Sequence, residues 1–319
     1  MNLLAVRTHA FGDALMCTPA VAALSTVHAV SVLTGPSALP VWSRMPGIES
    51  VITAPIPANP LSLLFWTMSH RLAGFDRVIF FGVSPVLRRW LRLMTRAAMR
   101  SGADLPLGSW EEAVGFGEKP AALAFSRIAG VAPESLRPVF PLKDQEKAIA
   151  GKMAEQGSYA VIAPGGGRNP RQSVSAKRIS PEKWREGIVF LRGKGYKVLG
   201  VGAAGDRETV AAAGVDVNLA GSCSWGVTAA LIAGAAVFAG NDSGPAHLAV
   251  AHEVPTVVVF GPTDPDSLYP ADSIIPVKGT ALCSPCYSKG IFPGCGRGFL
   301  CMSSVEARQI VEALKKVFS

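Results

Sequence analysis

The stretch GNDSGPAHLAVAHEVPTVVVFGPTDP, residues 240–265, places glycine, proline, an acid and a hydroxyl around one long apolar run. It continues the apolar run AAVFAG, which is typical of a buried strand, and Asp242 or Ser243 can cap the helix that follows. Pro245 suits the first turn of that helix, and Pro255 marks its end. The apolar run TVVVF then predicts a second buried strand.

The same alternation of strand-like and helical segments continues along all 319 residues. The sequence therefore predicts an α/β fold with parallel sheets and crossover helices. A polar segment flanked by prolines, near residues 142–157, suits a linker. We expect two domains, residues 1–145 and 146–319. The sequence leaves open whether the C-terminal helix packs back on the first domain.

Composition limits the functional classes. Apolar residues make up 49% of the chain and charged residues 17%, and Lys plus Arg exceed Asp plus Glu by 31 to 23. A formal net charge of +8 makes an anionic partner plausible. No segment reaches the roughly 18 apolar residues of a membrane span, and Arg7 and Asp13 interrupt the apolar N-terminus, so we expect a cytoplasmic protein without a signal peptide.

Four glycine-rich or acidic loops follow predicted strands of the second half: residues 164–169, 202–206, 240–244 and 261–265. Because the carboxyl ends of parallel strands meet at one edge of a sheet, these loops should lie together. Their glycines allow close approach to a ligand, and helix N-termini offer N–H groups to an anion. The pattern predicts a phosphate-bearing ligand. The alternative is that Asp242 and Ser243 only cap the helix and that His247 only packs in the core.

Three segments carry a resemblance to a known family. In chain order the segments are LLAVRTHAFGDALMCTPAVAAL, APGGGRNPRQSVSAKRISPEKW and FAGNDSGPAHLAVAHEVPTVVVFGPTDP. They resemble motifs of the ADP-heptose:lipopolysaccharide heptosyltransferases, glycosyltransferase family 9, and occur in the family's order. The segment APGGGRNPRQSVSAKRISPEKW keeps Lys177 and Arg178. Ile179 and Ser180 stand where the family usually has an aromatic residue. The resemblance covers essentially the whole chain.

The resemblance implies the GT-B architecture, two Rossmann-like domains facing each other across a cleft, with the acceptor in the first and the nucleotide-sugar in the second. It also implies inverting, metal-independent transfer of heptose from ADP-heptose to Kdo or heptose of the lipopolysaccharide inner core, at the cytoplasmic face of the inner membrane. Nucleic acid is not an expected partner. Another nucleotide-sugar donor, a protein acceptor, and a non-catalytic nucleotide-sugar-binding protein stay open as alternatives.

The resemblance also implies roles for individual residues. Asp13 matches the family's catalytic base and Lys177 its phosphate-binding lysine. The expected donor-binding residues are Gly165, Gly166, Asp206, Glu208, Asp242, Ser243, Gly244, His247, Thr263 and Asp264. The expected acceptor-binding residues are Arg7, Gly12, Arg88 and Arg92.

Each of these roles has a structural alternative. Asp13 could be a helix N-cap and Lys177 a solvated surface lysine. Asp206 or Glu208 could cap the helix that begins DRETVAAA, and spacing does not choose between them as the sugar or ribose ligand. Thr263 and Asp264 lie between prolines and could only form a turn.

Arginines recur every four residues at positions 88, 92, 96 and 100. Leu87, Trp90, Leu91, Met94 and Ala98 form an apolar stripe of the same predicted helix. Its basic face could approach an anionic acceptor or the membrane surface, which would make the protein peripheral on the inner membrane. An ordinary solvated helix face is the alternative.

Cys283, Cys286, Cys295 and Cys301 have the spacing C-x2-C-x8-C-x5-C. In a reducing cytoplasm, four clustered thiolates suit a structural Zn or Fe site. Similar cysteines in some family relatives, including ones that hold iron, support this expectation. Reduced packed thiols or an adventitious disulfide remain the alternatives, since family catalysis needs no metal.

Overall fold

The computed structural model describes residues 1–8, 10–54, 66, 74–82, 87–91, 99–101, 119–155, 157–166, 168–169, 172–173, 177–287 and 294–319. They form two compact units, one ending at Pro141 and the other starting at Leu142. Each unit contains a parallel sheet with helices between its strands. The predicted α/β fold with two parallel-sheet units is confirmed.

The sheet of the first unit has the order β3-β2-β1-β4-β5, and all its neighbouring strands are parallel. Its strands are β1 (Asn2–Arg7), β2 (Ala29–Thr34), β3 (Ile48–Thr53), β4 (Arg77–Phe80) and β5 (Met99–Ser101). Its described helices with defined ends are α1 (Phe11–Ser25), α2 (Leu39–Trp42) and α3 (Ala121–Ala129). Because β1 is the central strand, the start of α1 follows directly from the middle of the sheet.

The sheet of the second unit has the order β10-β9-β6-β11-β12-β13 and is also parallel throughout. Its strands are β6 (Tyr159–Ala163), β9 (Lys197–Gly200), β10 (Val217–Asn218), β11 (Phe238–Asn241), β12 (Thr256–Phe260) and β13 (Ile275–Lys278). A short antiparallel pair, β7 (Arg168–Asn169) and β8 (Gln172–Ser173), is separate from this sheet.

The helices of the second unit are α4 (Asp144–Ala154), α5 (Arg185–Gly193), α6 (Arg207–Ala213), α7 (Trp225–Ala233), α8 (Gly244–Ala251), α9 (Pro265–Leu268), α10 (Leu300–Ser303) and α11 (Ala307–Val317). Two 3-10 turns, Pro181–Trp184 and Ala204–Asp206, precede α5 and α6. Strand β11 and helix α8 are entirely or almost entirely buried, which explains why residues 238–251 are so apolar.

The C-terminal helix α11 packs within the second unit. Its apolar face, with Ile310 and Leu314, is buried against α5, β12 and β13. A Cβ at Gly187 of α5 would lie 3.3 Å from Ile310 Cγ2 and 3.2 Å from Leu314 Cδ1, so the absence of a side chain there permits the contact. The helix is therefore part of the hydrophobic core of the second unit.

The predicted arginine helix is only partly present. Residues 87–91 are helical, and Leu87 and Leu91 are buried as the apolar stripe predicts. A continuous helix as far as Arg100 is wrong, because Met99–Ser101 forms β5 and pairs with β4. Arg88 is half-buried, whereas Arg92 and Arg96 lie outside the described residues.

Within the described parts of the chain, no helix has the length and apolar character needed to cross a membrane.

Candidate functional site

Four loops meet at the carboxyl edge of the second sheet, because their strands β9, β6, β11 and β12 are consecutive neighbours. The Asn241 Nδ2 at the end of β11 donates hydrogen bonds to the carbonyl oxygens of Pro164, at 2.7 Å, and Gly165, at 3.1 Å. These bonds tie the loop after β6 to the end of β11. The expectation that the loops share one edge is confirmed.

Two glycines permit the close packing of these loops. A Cβ at Gly165 would lie 2.4 Å from Asp206 Cγ, and a Cβ at Gly166 would lie 2.8 Å from Ser243 Cβ. Gly166 also has a backbone φ of +109°, a conformation that residues with a Cβ rarely adopt. The sequence at 165–166 therefore has to be glycine for the three loops to touch.

Lys177 forms an ion pair with Asp242 at this edge, with 2.6 Å between Nζ and Oδ2. The Asp242 side chain is 4% exposed and that of Lys177 is 20% exposed. The Thr263 hydroxyl donates a second hydrogen bond to Oδ2, at 2.8 Å. The structure thus brings together three of the predicted residues, from three different loops.

Asp242 stays ionised despite its burial. Burial acts to raise the pKa of its carboxyl, but the charges of Lys177 and His247 and the hydrogen bonds from Lys177 and Thr263 outweigh it, so the pKa is lowered. A buried carboxylate needs this kind of compensation to be stable. The result is a fixed negative charge that holds the Lys177 ammonium.

His247 lies in the first half of α8 and is buried. Its ring stacks on the ring of Tyr269, with centroids 4.6 Å apart and an angle of 10° between the planes. The Tyr269 hydroxyl donates to Asp242 Oδ1 at 3.3 Å. His247 is therefore close to the Lys177–Asp242 pair, as predicted for its position near the same edge.

The start of α8 faces the same edge. Ser243 is the N-cap residue, but its hydroxyl donates to the Asn241 carbonyl oxygen at 3.0 Å and does not cap the helix. Asp242 does not cap it either, since its carboxylate binds the side chains of Lys177, Thr263 and Tyr269. The positive end of the helix at Gly244, together with Lys177, suits the binding of an anion.

The two acidic candidates after β9 occupy different environments. Asp206 is buried, and its Oδ2 accepts a hydrogen bond from the Ala203 N–H at 3.0 Å. Glu208 is exposed in the first turn of α6. Asp206 is the N-cap residue of α6, but its side chain does not cap that helix as the alternative expected. Its carboxylate instead closes the preceding 3-10 turn and packs against the position of Gly165.

Asp264 is the N-cap residue of α9, and its Oδ2 accepts a hydrogen bond from the Ser267 hydroxyl at 2.8 Å. This bond stabilises the turn in which Thr263 is buried. The position of Thr263 is therefore fixed by the proline-rich segment on both sides of it.

The segment before the last helices contacts the same edge. The N–H groups of Cys286 and Tyr287 donate to the Pro262 carbonyl oxygen at 2.9 and 2.8 Å, and the Ser284 hydroxyl donates to the Gly261 carbonyl oxygen at 2.5 Å. The Lys177 Nζ lies 5.6 Å from the centre of the Tyr287 ring, a cation–π contact. Tyr287 is thereby part of the surroundings of Lys177.

A structural Zn or Fe site at the four C-terminal cysteines stays a prediction, and the charges of these cysteines act on one another. Among the described residues, no three His, Cys, Asp or Glu side chains form a group that could hold a metal ion. Burial, followed by the charges of the other cysteines, raises the pKa of the Cys286 and Cys301 thiols, which favours their neutral form. Cys295 Sγ accepts a hydrogen bond from the Phe299 N–H, and Cys283 is exposed.

A second group of predicted residues lies in the first unit, where β1 leads into α1. Arg7, at the end of β1, forms an ion pair with Asp13 in the first turn of α1 and donates to the Phe81 carbonyl oxygen. The Arg7 side chain is 5% exposed, whereas that of Asp13 is 31% exposed. Gly12 is half-buried beside it. Arg7 thus orients a carboxylate that remains accessible.

The N-cap alternative for Asp13 does not hold, because Ala10 is the N-cap residue of α1. Cys17, one turn further along, is fully buried and its thiol donates to the Asp13 carbonyl oxygen at 3.3 Å. Burial raises the pKa of the Cys17 thiol, the Arg7 charge opposes this, and the Asp13 charge adds to it. Cys17 is a packed thiol.

Sequence reasoning missed Asn241, Tyr269 and Tyr287. A polar amide at the end of an otherwise apolar strand, directly before the acidic loop, was the available signal for Asn241. Tyr269 and Tyr287 reach the site from later segments, so spacing alone gave no signal for them.

Comparison with known proteins shows the family of the chain. The model of glycosyltransferase family 9 (heptosyltransferase) matches residues 118–291, more than half of the chain. The chain belongs to glycosyltransferase family 9. The match includes Lys177, Asp242 and Thr263. A search of curated proteins gave no match.

Solved structures share the fold of this family 9 chain over 99% of its length. ADP-heptose lps heptosyltransferase II from E. coli is 18% identical, with a TM-score of 0.72 and 98% of that chain covered. The E. coli heptosyltransferase WaaC, solved with ADP-2-deoxy-2-fluoro heptose, is 17% identical, with a TM-score of 0.71 and 99% covered. The iron-containing dodecameric glycosyltransferase TibC from enterotoxigenic E. coli H10407 is 15% identical, with a TM-score of 0.64 and 78% covered.

Proposed function

We propose that this family 9 chain transfers L-glycero-D-manno-heptose from ADP-heptose to Kdo or heptose of a lipopolysaccharide inner core, with inversion at the anomeric carbon. The observation that carries the proposal is the Lys177 ammonium, held by Asp242 beside the start of α8, where the ammonium and the N–H groups of the helix start can bind a diphosphate. The similarity to WaaC solved with an ADP-heptose analogue supports this choice of donor.

On the donor side, the departing ADP needs its developing negative charge to be stabilised. Lys177 supplies a positive charge held by Asp242, and the N–H groups at Ser243 and Gly244 supply the positive end of α8. Gly165 and Gly166 let the neighbouring loop approach the diphosphate without a side chain in between. These groups belong to the second unit, which we assign to the donor.

On the acceptor side, Asp13 acts as the general base and Arg7 holds its carboxylate in place. The acceptor hydroxyl oxygen attacks the anomeric carbon, and the bond between that carbon and the β-phosphate oxygen breaks. The bonding electron pair leaves with ADP, and the hydroxyl proton moves to Asp13. A β-linked donor sugar then becomes an α-linked product. We assign the first unit, with Gly12, Arg88 and Arg92, to the acceptor.

We propose that this reaction needs no metal ion, because Lys177 and the start of α8 supply positive charge at the diphosphate. The lipopolysaccharide acceptor places the reaction at the cytoplasmic face of the inner membrane. The net charge of +8 favours contact with that anionic surface.

The test is to incubate the purified chain with ADP-heptose and a series of truncated lipopolysaccharide acceptors, and to measure ADP release and product mass. Parallel reactions contain EDTA, ADP-glucose, or a UDP-sugar. We expect a product heavier by one heptose, unchanged in rate by EDTA. Transfer only from a UDP-sugar, or ADP-heptose binding without a product on any acceptor, would contradict the proposal.

A further inference from the structure

Tyr269 was not among the predicted site residues, yet it is buried beside Asp242. It follows α9, is 3% exposed, and its hydroxyl donates to Asp242 Oδ1 at 3.3 Å. It therefore contacts the carboxylate that holds Lys177, but at the oxygen that the ion pair does not use.

Both oxygens of the Asp242 carboxylate are occupied. Oδ2 accepts from Lys177 Nζ at 2.6 Å and from the Thr263 hydroxyl at 2.8 Å, and Oδ1 accepts from Tyr269. A carboxylate bound on both oxygens cannot rotate about its Cβ–Cγ bond without breaking a hydrogen bond. The direction in which Asp242 presents Oδ2 to Lys177 is thus set by Thr263 and Tyr269.

The ring of Tyr269 is itself held in place. It stacks on His247 and meets the edge of Phe260, with ring centroids 5.8 Å apart and an angle of 82°. Aromatic contacts of this geometry restrict the ring. The hydroxyl therefore stays at Asp242.

The Tyr269 hydroxyl also keeps its proton. Burial, the charge of Asp242 and the hydrogen bond to Asp242 raise the pKa of Tyr269 well above its ordinary value. The phenol is thus a permanent donor to the carboxylate.

We propose that Tyr269, together with Thr263, is a positioning residue that acts on Lys177 through Asp242. It keeps the Lys177 ammonium, which is carried on a flexible four-carbon side chain, where the donor diphosphate binds. This inference rests on the proposed function of Lys177 in binding that diphosphate. Loss of the Tyr269 hydroxyl would free one carboxylate oxygen, and Asp242 would then rotate and take Lys177 with it.

The test measures the dissociation constant of ADP by calorimetry for the full chain, Tyr269→Phe, Lys177→Ala and the double variant. Tyr269→Phe keeps the ring and its stacking on His247 but removes the hydroxyl. We expect about tenfold weaker ADP binding for Tyr269→Phe, the size typical of a lost hydrogen bond to a charged group. In the Lys177→Ala background, the same substitution should change affinity less than about twofold, because the residue it acts on is gone.

Tyr159→Phe is the matched control, since the Tyr159 hydroxyl also donates a hydrogen bond in the same unit, but to the Leu231 carbonyl oxygen, at 2.9 Å. It should leave ADP affinity unchanged. Thermal unfolding checks that Tyr269→Phe is folded. If it is not, Thr263→Val replaces it in the double-mutant cycle with Lys177→Ala, and the same changes in ADP affinity are expected.

The outcomes separate the inference from the function on which it rests. If Lys177→Ala weakens ADP binding while Tyr269→Phe has no effect, the positioning role is wrong and the proposed donor site remains. An equal effect of Tyr269→Phe in both backgrounds also overturns the role. If Lys177→Ala binds ADP like the unchanged chain, the donor site and the inference are both wrong.

Discussion

The Nζ of Lys177 lies 2.6 Å from Oδ2 of Asp242, although 65 positions separate the two residues in the sequence. The pair joins the segment after β8 to the end of β11, at the edge where the other loops of the second sheet meet. Because Asp242 is buried and ionised, the ammonium of Lys177 has a fixed position before any ligand arrives.

Lys177→Ala should lower kcat/KM for ADP-heptose by about 10² to 10³-fold, because it removes one group that stabilises the leaving diphosphate. Initial rates of ADP release over a range of donor concentrations measure the effect. Lys194→Ala, an exposed lysine of the same unit, is the control and should leave the rates unchanged. A loss of less than about threefold in Lys177→Ala would disagree with the assigned role.

Asp13→Asn should lower kcat by about 10² to 10⁴-fold, since the amide keeps the size of the side chain but cannot accept the acceptor proton. ADP affinity should remain unchanged, because the residues assigned to the donor are in the other unit. Single-turnover kinetics and calorimetry measure the two quantities. Asp76→Asn, an exposed carboxylate that accepts a hydrogen bond from the Asn2 N–H, is the control. Full activity in Asp13→Asn would remove the proposed base.

Gly165→Ala should weaken ADP binding and lower the free energy of unfolding by about 1 to 3 kcal/mol, because the new Cβ would lie 2.4 Å from Asp206 Cγ. Gly151→Ala in α4 is the control, since nothing lies within 4 Å of its Cβ position. That substitution should stabilise the chain by about 0.5 to 1 kcal/mol. Urea unfolding measures both values, and equal effects of the two substitutions would speak against the close packing of the loops.

The stability of the second unit should depend on pH through Asp242. Its lowered pKa means that the ionised carboxylate stabilises the fold above the ordinary pKa of about 3.9, and that this contribution is lost as the pH falls through the lowered value. Asp242→Asn lacks the titrating group. The difference in unfolding free energy between the unchanged chain and Asp242→Asn should therefore be constant near pH 5 and decrease below about pH 4. A difference that does not change with pH would contradict the lowered pKa.

Much of the fold could be predicted from the sequence, because the buried strands of a parallel sheet are continuous apolar runs that end at glycine, proline or an acid. β13 and β10 were not predicted. β13 is an edge strand with a proline and alternating exposure, and β10 has two residues, so neither leaves a strong pattern. The end of the predicted arginine helix was wrong, because Met99–Ser101 forms the short strand β5.

The site could be predicted where geometry alone places residues together, at the carboxyl edge of the sheet. The partners of Asp242 could not be predicted. Spacing did not show that Thr263 and Tyr269 both donate to it, because their positions depend on how the turn around α9 folds back. In the same way, the burial of Asp206 under Gly165 is a property of packing that the sequence pattern does not contain.

The most direct test of the account is a crystal structure of this family 9 chain with bound ADP-heptose. We predict that the diphosphate lies within hydrogen-bonding distance of Lys177 Nζ and of the N–H groups of Ser243 and Gly244, beside Gly165 and Gly166. A nucleotide-sugar bound away from these residues, with Lys177 still paired only to Asp242, would contradict the account.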